Sequence, residues 1–291
     1  MNQAHLNRSQ SAQSGQKYLT LREVVCELEK FAPLELAESW DNVGLLVEPT
    51  AQRLITKALL VNDITEGVLA QAIQSSVEMI ISFHSPICSP LTKVTQSNWR
   101  ERVIVRCLEN RIAVYSPHTA WHVSENGVND EMCHLINIGQ RGYRVRPIIP
   151  HPSNELRRGS GRLIEYTEEL RLEYFIEQAQ NLFDLKHVQI AMGCGHNRKT
   201  RITTVALCAG SRSGILKNVQ ADLYITEEMS HHDVLDAIHQ GTSVILLNHT
   251  ICERMFLQKF CRDFNQKLVS RQVSTRLMLD ELHDKEPLIT H

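Results

Sequence analysis

Residues 78–84 read EMIISFH. A short apolar run, Ile-rich and bounded by a glutamate and a histidine, predicts a strand over Glu78–Phe83 covered on both faces. That is the pattern of a strand in a parallel sheet with helices on each side. The run ends at His84, and the same grammar recurs along the chain. Lys57–Asp63 ends at Asp63, and Ile112–Ser116 is followed by His118. In the second half, Ala221–Ile225 ends in Thr226, Glu227 and Glu228, and Ser243–Leu247 ends in Asn248 and His249. Ligands of open α/β sheets bind outside the carboxyl ends of the strands, so imidazoles and carboxylates gathered there suggest a metal or catalytic cleft. Two pairs are spaced i, i+4: His118 with His122, and His249 with Glu253. On a helical turn that spacing places both side chains on one face, although a chain with 14 histidines also produces it by chance.

Helical patterns separate these strands. Leu19–Phe31 carries Leu21, Val24, Val25, Leu28 and Phe31 on one face, and Glu66–Ser75 and Asn98–Asn110 follow. A β-α-β-α-β half with short links implies parallel pairing and right-handed crossovers. The alternation resumes after residue 168. Helices are expected over Glu168–Phe183, Gly214–Val219, His231–His239 and Ile251–Leu268. Strands are expected over Val188–Met192 and Arg201–Cys208 besides the two named above. Between the halves the sequence QRGYRVRPIIPHPSNELRRGSGR is rich in Arg, Pro and Gly and reads as a connection. The expected organisation is therefore a disordered tail at 1–18, a first α/β lobe at 19–140, a linker at 141–167, a second α/β lobe at 168–270 and a tail at 271–291. The fold class is α/β: two related lobes with mostly parallel sheets.

Bulk properties narrow the function. The formal net charge is -2 and the isoelectric point is about 6.7, which gives no electrostatic grip on nucleic acid or an anionic membrane. No apolar run reaches bilayer-spanning length. The eight cysteines include no C-x-x-C, and Cys26, Cys88, Cys107, Cys208 and Cys261 lie in apolar-periodic segments, as reduced intracellular thiols do. The first 18 residues carry no acid, as in a mitochondrial presequence, but only Ala4, Leu6 and Ala12 could form its apolar face. The cytoplasm, with the nucleus also open, is the expected location, ahead of the mitochondrion.

Five motifs also resemble the NIF-three-like family, the homologues of the Ngg-one-interacting factor three, also called GTP cyclohydrolase I type 2. They are ESWDNVGLLVE (38–48), YSPHTAWHVSENGVND (115–130), CAGSRSGIL (208–216), ADLYITEEMSHHDVLDA (221–237) and NHTICERMFL (248–257). They occur in the family's order, and the chain looks closest to animal members. The resemblance implies two α/β lobes around a two-metal cleft and a homo-oligomer, a hexameric ring in bacterial members. The stretch near 150–165 is too short for the domain that larger members insert there.

Matched position by position, the family's His-His-Pro falls on Phe83, His84 and Ser85, so one ligand is replaced by an aromatic. Its His-Thr-x-x-Asp falls on His118 to His122, so a bridging carboxylate is replaced by an imidazole. Its final His and Glu fall on His249 and Glu253, and its Thr-Gly-Glu reads Thr226, Glu227, Glu228. A neutral imidazole has one lone pair to give and bridges two metals poorly, so the changes disfavour a dinuclear site. The set His84, His122, His249 and Glu253 suits one Zn²⁺ or a similar first-row ion. A two-metal site and an empty cleft are the alternatives.

No catalytic residue is assigned. Glu228 and His118 are the candidates for a proton carrier, each with a supporting role as its alternative. Trp40-Asp41-Asn42 reads equally as a site signature or a structural turn. His231 and His232 read as residues of a helix start behind the N-cap Ser230. Gly210, Ser211 and Ser213 lack the spacing and lysine of a P-loop. Two functions are open. One, implied by the resemblance to animal members, is a regulatory binding protein of the corepressor type, with protein partners in transcription and a partly degraded metal site. The other is a metal-dependent hydrolase of a phosphate ester or nucleotide-like molecule.

Overall fold

The computed structural model describes residues 16–50, 54–153, 157–182, 187–280 and 284–285. Most of the amino-terminal tail expected at 1–18 therefore lies outside the described residues. In chain order the main elements are α1 (Leu21–Phe31), β1 (Gly44–Val47), β2 (Lys57–Val61), α2 (Glu66–Gln74), β3 (Met79–Ser82), α3 (Trp99–Glu109), β4 (Ala113–Ser116), α4 (His118–Val123) and α5 (Val128–Ile136). They continue with β5 (Tyr143–Pro150), β6 (Gly159–Arg171), α6 (Leu172–Leu182), β7 (Gln189–Ala191), β8 (Arg201–Cys208), β9 (Leu223–Thr226), α7 (His231–His239), β10 (Ser243–Leu246), α8 (Ile251–Ser270) and β11 (Arg276–Leu279). Two compact units divide the chain: residues 1–121 with 257–285, and residues 122–256. The termini of α4 and α8 thus belong to different units.

The first unit holds a five-stranded sheet in the order β11-β2-β3-β4-β1. Four strands are parallel and β1 runs antiparallel to β4. Every residue of β3 and β4 is buried, as the apolar run at 78–83 predicts. Val68, Leu69 and Ala72 of α2 and Val103, Ile104 and Cys107 of α3 pack with Leu59, Val61, Ile80 and Val114 in one core. The helices start where their sequences dictate. Thr20 and Glu23 form a capping box on α1, Thr65 caps α2 and Asn98 caps α3.

The second unit holds a six-stranded sheet in the order β5-β6-β8-β9-β10-β7. Here the expectation of mostly parallel sheets is corrected. Only β8, β9 and β10 are parallel, and β5, β6 and β7 add three antiparallel pairings. The stretch 141–167, read above as a linker, carries β5 and most of β6, a long hairpin on one edge of the sheet. It is hidden in the sequence because an edge strand needs no continuous apolar run and tolerates the prolines at 147 and 150. Arg162 fastens the hairpin: its buried guanidinium meets Asp130 of α5 at 2.5 Å and the carbonyls of Gly159 and Gly161 at 2.7 and 2.8 Å. The tail expected from 271 contributes β11, an edge strand beside β2. Of the cysteines in apolar-periodic segments, Cys107 and Cys208 are buried but Cys26 and Cys88 are exposed, and all eight are thiols.

One polar group in the first unit tests the packing of α1 on α8. Glu27 is buried, and its carboxylate meets Lys30 at 2.7 Å, Arg271 at 2.8 Å and Lys267 at 3.0 Å. Burial raises its pKa, but the three cations outweigh it and hold the carboxyl at about 2, against 4.5 in the unfolded chain. A lowered folded pKa adds stability that is full above 4.5 and is lost as pH falls toward 2. Glu27→Gln should therefore cost roughly 1–2 kcal/mol at neutral pH, because its partners are half exposed. The gap between variant and parent in urea denaturation should narrow as pH falls from 4.5 toward 2.

Candidate metal centre

In the first unit, β2 ends at Asn62 and Asp63, β3 at Phe83 and His84, and β4 leads through Pro117 into His118. Parallel strands bring these ends together. The imidazole of His84 has Nδ1 3.1 Å from Asp63 Oδ1. The imidazole of His118 has Nδ1 2.8 Å from Asp41 Oδ2. Their ring centroids lie 5.4 Å apart. Asp41 also accepts the Thr119 N–H at 3.1 Å and its hydroxyl at 2.6 Å. Burial raises the Asp41 pKa, and the bonds from His118 and Thr119 bring it below the ordinary carboxylate value. The Trp40-Asp41-Asn42 turn is thus tied to α4 and is more than a local loop. His118 takes φ = +30°, an uncommon backbone angle for a side-chain-bearing residue, and strain of this kind clusters at functional sites. Phe83 is fully buried and packs against both imidazoles and Trp121, with centroids 5.3 to 6.2 Å away. It supplies an apolar wall where the family pattern has a ligand.

In the second unit, Glu253 and His122 are buried, with His122 Nε2 3.7 Å from Glu253 Oε1. The structure therefore brings these two predicted ligands together. The loop after β8 closes over them. A Cβ on Gly210 would stand 3.3 Å from His122 Cε1 and 3.4 Å from Glu253 Oε1, and the residue takes φ = +76°. Glu227, in the place of the family's glycine, is buried and accepts the N–H groups of Gly210 and, at 2.8 Å, Cys252. It ties the ends of β8 and β9 to the start of α8. Burial and the Glu253 charge push its carboxyl well above the ordinary range. From the sequence, Glu227 reads only as a lost glycine. The second signal available was that a carboxylate at a strand end can bridge loop amides.

His249 has Nδ1 3.1 Å from Glu228 Oε1. Glu228, a candidate proton carrier, is placed here as the partner that orients this ring. A cavity of about 650 Å³ opens beside the pair, lined by Ser211, Ser213, Asp233 and Asn248 among others. Ser230 caps α7 by accepting the Asp233 N–H, and His231 and His232 are exposed on that helix, as the cap reading expects.

Three imidazoles, at 84, 118 and 249, share one arrangement. A carboxylate oxygen lies within hydrogen-bond distance of each Nδ1, and at His84 the Asn62 side-chain amide also approaches Nδ1 at 3.3 Å. Metal-binding histidines are held in this way, because the second partner fixes the tautomer and raises ligand basicity. The donor types fit a first-row divalent ion.

The family Duf34/NIF3 (NGG1p interacting factor 3) matches residues 19–284. The chain belongs to this family. A Drosophila melanogaster relative, NIF3-like protein 1, is 46% identical over 95% of this chain and 90% of its own. The Homo sapiens NIF3-like protein 1 is 31% identical, covering 94% of this chain and 93% of its own. That alignment spans 356 positions, so the human relative carries stretches that this NIF3 chain lacks. A Bacillus cereus protein related to NIF3 shares the fold, with a TM-score of 0.78, 19% identity and coverage of 95% of this chain and 100% of its own.

Gly210→Ala tests the close approach in the second unit. The added methyl would crowd His122 and Glu253 and force an L-residue into left-handed backbone. A loss of roughly 1 kcal/mol or more in thermal or urea denaturation is expected.

Proposed function

We propose that this NIF3 chain is a regulatory binding protein that holds one divalent first-row ion per chain. His84, His249 and Glu253 supply ligands, and His122 completes the set. The observation that carries the reading is the orientation of His84 and His249 by the carboxylates of Asp63 and Glu228. Such pairs cost side-chain entropy and are the arrangement that metal-ligating imidazoles almost always show. Zn²⁺ suits three nitrogens and one oxygen in tetrahedral geometry. One ion is favoured over two because Phe83 offers no donor atom and His122 offers no bridging oxygen. When bound, the ion would acidify a coordinated water and polarise an attached oxygen.

The regulatory half of the reading draws on the family. A Saccharomyces cerevisiae relative, 30% identical over 90% of this chain, is named NGG1-interacting factor 3. By that analogy the chain acts as an interaction factor for a protein partner; a corepressor-type role, self-association at least into a dimer, and a cytoplasmic and nuclear location complete the proposal. No helix among the described residues is long and apolar enough to cross a membrane. A second reading, a metal-dependent hydrolase of small phosphate esters, is favoured by the cavity beside His249 and Glu228. In it Glu228 orients the ligand, and the Asp41–His118 pair is the better candidate proton carrier.

Elemental analysis of untagged protein tests the proposal. One zinc or similar ion per chain is expected, with binding abolished by His249→Ala. Glu228→Ala should weaken binding about 10–100-fold, the usual cost of losing the partner that orients a ligand. The double change Phe83→His with His122→Asp should raise the stoichiometry toward two. Two ions in the parent would refute the single-ion assignment, and none would refute metal binding. Metal-dependent release of phosphate from a panel of small esters, lost in His249→Ala, would decide for the hydrolase.

A further inference from the structure

Strand β11 reaches the histidine-bearing end of the first sheet. β11 pairs parallel with β2, with Arg276 beside Lys57 and Leu279 beside Leu60. Parallel pairing sets the carboxyl ends of both strands at the same edge, where β2 delivers Asn62 and Asp63. The Asp280 N–H extends the contact by donating to the Leu60 carbonyl at 3.3 Å. Asp284 then turns its carboxylate onto the end of β2. Its Oδ2 accepts the Asn62 N–H at 2.5 Å and its Oδ1 accepts the Asp63 N–H at 3.2 Å. Asp284 is 6% exposed, and the family match runs to this residue.

The next link is the Asp63 side chain, which holds His84 Nδ1 at 3.1 Å. That side chain is 46% exposed, and its Oδ2 also lies 3.4 Å from the Asn62 side-chain amide, which approaches His84 Nδ1 at 3.3 Å. Both side chains grow from the backbone that Asp284 clamps. The neighbouring pair is built differently. The Asp41 side chain is 3% exposed and is bound by the Thr119 N–H and hydroxyl, so His118 is oriented without the carboxyl-terminal segment.

We propose that Asp284 is a positioning residue for His84: the carboxyl-terminal segment sets the Asp63–His84 pair and so tunes the affinity of the metal site, leaving the Asp41–His118 pair untouched. The inference rests on the assignment of His84 as a ligand under the proposed function. It makes the carboxyl-terminal segment, 222 positions from Asn62 in sequence, a participant in metal binding.

The test compares the full-length parent with Asp284→Ala and the milder Asp284→Asn, which keeps one oxygen acceptor. Competition titration with Zn²⁺ reads affinity, and imidazole ¹⁵N spectra of the metal-free proteins read each ring. Asp284→Ala should weaken zinc binding about three- to tenfold, less than loss of a direct ligand partner. The His84 ring nitrogens should shift while those of His118 stay in place, with Asp284→Asn intermediate. Unchanged His84 resonances with only a lower melting temperature would overturn the proposal, since Asp284 would then merely pin the chain end. Equal shifts at His84 and His118 would overturn it too, as general loosening. If the parent binds no zinc, the ligand assignment fails, while the metal-free spectra still decide whether Asp284 positions His84.

Discussion

A carboxylate placed on one nitrogen of an imidazole settles three things together: which nitrogen carries the proton, which way the ring faces and how basic the other nitrogen is. In this protein the arrangement occurs at His84 with Asp63, His118 with Asp41, and His249 with Glu228. The folding of both units serves it. Asp63, His84 and His118 stand together because β2, β3 and β4 are parallel and end at one edge. Glu228 and His249 meet because β9 and β10 do the same. A parallel pairing lost in either sheet would separate a ring from its carboxylate.

The buried acids of the second unit impose a complementary constraint. Glu227 and Glu253 are both buried, and two carboxylates in such surroundings cannot both stay ionised cheaply. Glu227 answers with a raised pKa and two backbone N–H donors. Glu253 lies beside this network, with His122 Nε2 3.7 Å from its Oε1.

The strand-end grammar made part of this legible from sequence. A run such as EMIISFH identifies itself because a strand buried on both faces is apolar throughout, and His84 and His249 stand out as polar residues that interrupt such runs. The pairing of His84 with Asp63 was less visible, because nothing local links positions 21 apart. The hairpin β5–β6 was hidden by its edge position, where Arg144 and Arg146 face solvent and prolines cost little. Glu227 was legible only as a departure from a motif. Asp284 was not legible at all, since its role arises from a four-residue edge strand, Arg276–Leu279, that brings the chain's end back to β2.

The protonation geometry of three rings is the decisive observable. Long-range ¹H–¹⁵N correlation spectra of the metal-free protein at neutral to mildly alkaline pH, with assignments from single His→Gln variants, read the tautomer of each imidazole directly. His84, His118 and His249 are predicted to carry the proton on Nδ1, with Nε2 deprotonated. Predominance of the Nε2–H tautomer at His84 and His249 would mean that Asp63 and Glu228 do not orient them, and would contradict the account.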